Sequence, residues 1–250
     1  MEVIGELNLY NKRCVESVDG DAKFIENCNP RSLAIKWNNI GINSILINDI
    51  SLIKESNSIN RGLIREVISE INIDVDIFSD TRNTDSFEDW LSLGARRVII
   101  SNNSITDSEF IKNILKKYPE ETILLLRVNE GMTEIDQGYH EEAKNILYEL
   151  KKQGLRRFIY HDVSANYEFN YDDFLYLAKE SALSALACGK LNKLEAIKKL
   201  KQLSSCENIF MDGIILSDPL YKNTLDLYEV IKLVGAYPYI GDFYSREDLC

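Results

Sequence analysis

Eight short runs rich in β-branched residues alternate along the chain with eight stretches whose apolar residues recur every three or four positions. The runs are Val3–Leu9, Ser44–Asn48, Ile73–Phe78, Arg97–Ser101, Thr122–Val128, Arg157–His161, Leu183–Cys188 and Gly213–Leu216. They are continuously apolar, as strands covered on both faces are, and this points to a parallel sheet flanked by helices. The stretches Ser32–Ile40, Asn60–Ile71, Ser86–Leu93, Asp107–Tyr118, Glu141–Gln153, Asp172–Glu180, Lys193–Leu203 and Leu225–Val234 have helical periodicity. Strict alternation predicts an α/β fold, a (β/α)8 TIM barrel. An open doubly wound sheet is the alternative, because a pattern does not show closure. A length of 250 residues fits one barrel, so residues 1–250 are read as a single domain.

The chain also resembles itself at half length. Ile45–Ser51 (ILINDIS) is echoed by Phe158–Ser164 (FIYHDVS), with Asp49 and Asp162 113 positions apart. Arg97–Ile105 (RVIISNNSI) is echoed by Asp212–Leu220 (DGIILSDPL) at an offset of 115. The two offsets predict half-barrels covering approximately 1–120 and 121–250.

Composition narrows the function classes. With 29 basic and 40 acidic side chains the net charge is −11, and no basic cluster offers a phosphate-neutralising face, which argues against nucleic acid as a partner. No apolar run approaches the roughly 18 residues of a membrane span, and Met1–Gly5 lacks the basic start of a secretory signal, so a cytoplasmic location without membrane contact is expected. Cys14, Cys28, Cys188, Cys206 and Cys250 are odd in number and scattered, which fits free thiols better than disulfides or zinc. No metal set and no cofactor motif is read.

Several segments are similar to the histidine-biosynthesis barrel family (the HisA/HisF barrels), and more to its phosphoribosylformimino aminoimidazole-carboxamide ribotide isomerase branch than to its cyclase branch. Glu6–Val15 (ELNLYNKRCV) resembles the family's AIDLxxGKCV, and Asp19–Asp21 (DGD) its QGD. Asp49 in INDIS falls on the first aspartate of VVDLD, with Ser51 where the second stands; Asn60 matches an asparagine opening the next helix. Gly94–Ile100 (GARRVII) and Gly213–Tyr221 (GIILSDPLY) also match. The resemblance implies a barrel of two half-barrels, and an isomerase in which aspartates ending the first and fifth strands supply acid and base for an Amadori-type rearrangement of a phosphoribosyl group.

At those two positions this chain has Asn8 and, in RVNEG, Arg127. An amide exchanges no proton near neutrality and a guanidinium stays protonated, so neither can do the family's work. The resembled phosphate loops differ as well. Phe78–Arg82 (FSDTR) stands for GGGIR, placing Asp80 in an anion pocket. Cys188–Lys190 (CGK) stands for SGG, keeping Gly189 and adding a cation, and Ser217 with Asp218 replaces a glycine turn.

Residues at the carboxyl ends of barrel strands share one mouth. By strand these are Asn8, Asp49, Asp80, Ser101 and Asn102, Arg127 and Glu130, His161 and Asp162, Gly189 and Lys190, and Ser217 and Asp218. The catalytic candidates are His161, Arg127, Asp49, Asn8 and Asp162. His161 titrates near neutrality and would be acid or base with Asp49 or Asp162 orienting it; otherwise it is only a hydrogen-bonded mouth residue. The ligand-binding candidates are Gly189, Lys190, Ser101, Asn102, Ser217, Arg82 and Asp80. Cys188, matching a serine with no nucleophilic role, is not read as a nucleophile.

Arg96–Arg97 and Arg156–Arg157 each precede a strand. They are expected at the amino-terminal rim, either salt-bridged or, as in the cyclase branch, docking a protein partner. The aromatic run Tyr237–Tyr244 is read as core or as a dimer contact. Three functions remain open: a diverged barrel binding a phosphorylated sugar or nucleotide-like small molecule, and if an enzyme an isomerase or lyase; a noncatalytic scaffold or regulatory subunit acting through a protein partner; and a sugar-phosphate isomerase with relocated acid and base. A working site predicts an open polar mouth. A scaffold predicts one plugged by side chains such as Phe78 and Tyr167.

Overall fold

The computed structural model describes residues 1–18, 21–79, 81–136 and 138–235. Asp80, Tyr237–Tyr244 and Cys250 lie outside the described residues. The elements run β1 (Glu2–Tyr10), β2 (Arg13–Val18), β3 (Asp21–Phe24), α1 (Pro30–Ile40), β4 (Ser44–Asp49), α2 (Ile50–Glu55), α3 (Arg61–Glu70), β5 (Asp74–Phe78), α4 (Thr84–Leu93), β6 (Arg97–Ser101) and α5 (Ser108–Lys117). They continue with β7 (Thr122–Asn129), β8 (Met132–Asp136), β9 (Tyr139–Glu142), α6 (Ala143–Gln153), β10 (Arg157–Asp162), α7 (Tyr171–Ser181), β11 (Ser184–Cys188), α8 (Leu194–Cys206), β12 (Met211–Leu216), α9 (Asp218–Tyr221) and α10 (Leu227–Val234).

The eight expected strands pair in parallel in the order β10-β11-β12-β1-β4-β5-β6-β7, and β10 pairs with β7 to close the ring. Closure decides between the two architectures: the chain is a (β/α)8 barrel. Helices fill the connections between strands, and no described helix is long and apolar enough to cross a membrane.

Side chains alternate across each strand, so every barrel strand serves two apolar layers. Ile4, Leu46, Ile99, Ile123, Ile159, Leu186 and Ile215 meet in the barrel interior. Their outward neighbours, such as Val3, Ile45, Val98, Leu124 and Phe158, join the core shared with the helices, where Trp37, Trp90 and Phe174 are buried. This double coverage is why the strands read as unbroken apolar runs.

Two antiparallel extensions, β1–β2–β3 and β7–β8–β9, interrupt the alternation. Asn11 and Lys12, at φ 48° and 62°, turn β1 into β2 with Tyr10 facing Arg13. Glu130 and Gly131, at φ 49° and 78°, turn β7 into β8 with Asn129 facing Met132. Two-residue loops with both φ positive match the right-handed twist of the strands they join. The sequence signalled neither, because Asn-Lys and Glu-Gly lack the usual Asn-Gly pattern.

At the amino-terminal end the arginines are held within the chain. Arg96 forks onto Asp76 (Nε to Oδ1 3.0 Å, Nη2 to Oδ2 2.8 Å) and also reaches Asp74 at 3.0 Å. Arg157 bridges Asp212 at 3.1 Å and Glu120 at 2.7 Å, and Arg156 meets Glu120 at 2.9 Å.

Barrel closure leaves no room at the β1–β12 seam, where Gly213 is in register with Glu2 and a Cβ would fall 2.5 Å from the Glu2 carbonyl oxygen. Gly213→Ala is expected to destabilise by about 1–3 kcal/mol through overpacking. Gly62→Ala, on α3 with nothing within 4 Å of the new Cβ, is expected to stabilise by up to about 1 kcal/mol in the same denaturant titrations. Equal effects at the two glycines would contradict this packing.

Candidate active site

The carboxyl ends of the barrel strands enclose a cavity of about 620 Å³. Its side chains come from alternate strand positions: Glu6 and Asn8 on β1, Asn48 on β4, Phe78 on β5, Arg127 on β7, His161 on β10 and Cys188 on β11, with Ser217 just past β12. Gly189, Lys190 and Asp218 line it from the loops above. Phe78 packs against the interior apolar cluster and Tyr167 is fully exposed, so the mouth is open.

On the β1 side a hydrogen-bonded net forms the floor. Asn48 Nδ2 donates to Glu6 Oε1 at 2.6 Å and to Asn8 Oδ1 at 2.7 Å. Asn8 Nδ2 donates to Ser217 Oγ at 3.2 Å. The Tyr221 hydroxyl donates to the Glu6 carbonyl at 2.8 Å and accepts the Asn8 N–H at 3.0 Å, fixing the backbone beneath these side chains. Burial raises the Glu6 carboxyl above the ordinary carboxylate range, against the lowering effect of hydrogen bonds from Ser217 and Asn48. Glu6 was missed in the sequence because it lies inside an apolar run. The available signal was its spacing: two residues before Asn8, on the same face of the strand.

Opposite stands Arg127. β1 and β7 are four strands apart in a ring of eight, so they face each other across the mouth. Among the described residues the exposed Arg127 guanidinium has no hydrogen bond or ion pair. Beside it, burial and the Arg127 charge, with a smaller contribution from Lys190, hold the His161 imidazole pKa down at about 4. His161 is therefore a neutral imidazole at physiological pH, able to donate one hydrogen bond and accept one. Burial also pushes the Cys188 thiol well up, with Glu6 adding to the effect, so Cys188 stays a thiol and a poor nucleophile.

The other sequence candidates go elsewhere. Asp49 does not line the cavity: it caps α2 through the Leu52 N–H at 3.2 Å and accepts from Asn60 Nδ2 at 2.7 Å. Asn60 in turn holds the first hairpin, accepting the Lys12 N–H at 2.7 Å. Asp162 likewise points away from the cavity and clasps the loop after β10, accepting from Ser164 N (2.9 Å), Ser164 Oγ (2.7 Å) and Asn170 N (2.8 Å). No hydrogen bond joins either aspartate to the His161 ring among the described residues, although the Asp162 charge acts on it.

Lys190 reaches the cavity, but its ammonium is engaged by Ser164 O at 2.6 Å, Ser164 Oγ at 2.7 Å and Asp162 Oδ1 at 3.2 Å. Gly189, at φ 90°, lets the loop turn against β10, where a Cβ would meet the Asp162 carbonyl oxygen at 2.8 Å. Ser101 and Asn102 are buried off the cavity, Asn102 donating to the Glu134 carbonyl, and Arg82 is exposed outside it.

The family described as histidine biosynthesis protein matches residues 2–226. Relatives named 1-(5-phosphoribosyl)-5-((5-phosphoribosylamino)methylideneamino) imidazole-4-carboxamide isomerase occur in Desulforudis audaxviator, Chlorobium phaeobacteroides and Methanocaldococcus jannaschii. They are 25%, 27% and 28% identical over 93%, 94% and 94% of this chain and 91%, 94% and 99% of their own.

The depressed His161 pKa has a signed consequence. Between its folded value of about 4 and the ordinary value near 6.5, the unfolded chain binds a proton that the folded chain does not. Stability owed to this group is therefore complete above pH 6.5 and declines towards pH 4. His161→Gln is expected to lose less stability than the parent as the pH falls through that window, measured by thermal melts. Parallel curves would show that His161 titrates normally.

Proposed function

The chain belongs to the histidine biosynthesis protein family, and from that premise we propose that its barrel mouth binds a phosphorylated sugar or nucleotide-like small molecule, with Arg127 as the anion anchor. The observation that carries this is the uncommitted Arg127 guanidinium in an open cavity of about 620 Å³. That volume falls within the roughly 300–1,000 Å³ of small-molecule sites. A guanidinium presents a planar set of donors matched to phosphate or carboxylate.

The substrate class comes from the relatives, whose shared name describes a molecule carrying two phosphoribosyl groups. The loop after β11, from Gly189 to Asn192, also lines the cavity, two strands from Arg127 in the ring. It leads into α8, whose start has no side-chain cap. Asn8 and Arg127, standing where the resembled isomerases carry aspartates, are assigned to binding.

Isothermal titration with ribose 5-phosphate and with the relatives' phosphoribosyl carboxamide tests the assignment. Arg127→Ala should weaken binding by about 10- to 150-fold, the loss of a charge-assisted hydrogen bond worth about 1.5–3 kcal/mol. With no partner among the described residues to orphan, the same substitution should leave stability within about 0.5 kcal/mol of the parent. Undiminished binding by Arg127→Ala would remove Arg127 from the site, and no binding by the parent would refute the proposed function.

A further inference from the structure

We propose that Glu6 is the residue that moves protons in this cavity. The assignment rests on the ligand class proposed above and deepens it. It starts from the geometry of β1, where the two-residue period puts Glu6 on the same inward face as Asn8 and one repeat deeper. Its side chain opens on the cavity, diametrically across from Arg127, so a ligand anchored by its phosphate on β7 presents its other end to the β1 wall.

Most groups beside Glu6 are poorer proton carriers. Asn8, Asn48 and Ser217 are neutral, Arg127 remains protonated, Cys188 is held as a thiol, and His161 is held neutral with a conjugate acid of pKa about 4. Asp218, also on the cavity wall, opens α9 and pairs with Lys222 at 3.1 Å. Glu6 is the carboxyl on the floor, and burial moves it towards neutrality, where general acid–base catalysis is most effective. Asn48 Nδ2, at 2.6 Å from Oε1, holds the carboxyl in place without taking its proton. Glu6 belongs to neither aspartate position of the resembled family and stands where that family has alanine.

For an N-linked ribosyl phosphate the step balances with one carboxyl. Glu6 gives its proton to the ring oxygen as the C1–O pair moves onto that oxygen and the nitrogen lone pair closes C1=N. The carboxylate then takes the proton from C2, the C–H pair forming C1=C2 while the C=N pair returns to nitrogen. The enol collapses to C2=O as Glu6 protonates C1, and the hydroxyl proton released to water is replaced on the carboxylate. The net change is an isomerisation without any redox partner.

Two measurements on the full chain test this. Infrared titration of parent minus Glu6→Gln should show a protonated-carboxyl band that persists to a higher pH than an ordinary glutamate's. If Glu6 titrates as an ordinary glutamate, the assignment falls. The parent should isomerise the relatives' phosphoribosyl carboxamide, and a deuterium placed at C2 of the ribose should be carried by Glu6 to C1 of the product. Glu6→Gln should bind the carboxamide like the parent yet turn it over about 10²–10⁴-fold more slowly, with partial recovery in Glu6→Asp. Binding without turnover by the parent, or unchanged turnover by Glu6→Gln, overturns the role of Glu6 and leaves the ligand class standing. A parent that binds nothing overturns both.

Discussion

Everything about this site follows from closing a two-residue period into a ring. Once β10 pairs with β7, each strand has one set of side chains inside the barrel and the next set under the helices, and nothing can be shared between them. Adjacent polar residues at a strand end therefore have unrelated tasks. Asn48 enters the cavity while Asp49 caps a helix and ties down a hairpin. His161 enters it while Asp162 clasps the following loop. The two aspartates have the same structural use at two places in the barrel, which explains why they stand out in the sequence without lining the site.

The same enclosure sets the electrostatics of the mouth. A floor built on isoleucine and leucine solvates charge poorly, so burial is the first cause of each shift there. It raises Glu6, raises Cys188 and lowers His161, in every case favouring the neutral form. The positive charge of Arg127 reinforces the effect on His161. What results is a polarised cavity: a standing cation on one wall, and on the opposite wall a net of neutral hydrogen-bonding groups around one carboxyl.

Much of the fold was legible because burial on two faces leaves a mark that survives in one dimension. All eight barrel strands and the eight principal helices fall where the apolar runs and the three- and four-residue spacing place them. The hairpins did not show, since their turns use Asn-Lys and Glu-Gly and their strands lie on the rim with little apolar content. The site was legible by residue type more than by role. Arg127 and His161 were singled out by chemistry and do line the cavity, whereas Glu6 was overlooked because a single carboxylate inside an apolar run carries no motif.

The sequence alone determined the order and number of the eight barrel strands and of the principal helices between them, and its motifs pointed to the family. Those depend on local periodicity and on the pairing of like segments, which any conformation of the chain must satisfy. Only the tertiary structure decided that the sheet closes, that the mouth is open with Tyr167 turned out to solvent, and which cation is available to a ligand. Lys190 and Arg127 are both mouth cations by position. Lys190 folds onto Asp162 and Ser164, while Arg127 finds no acceptor among the described residues. That difference arises from contacts between loops distant in the chain, and no local pattern encodes it.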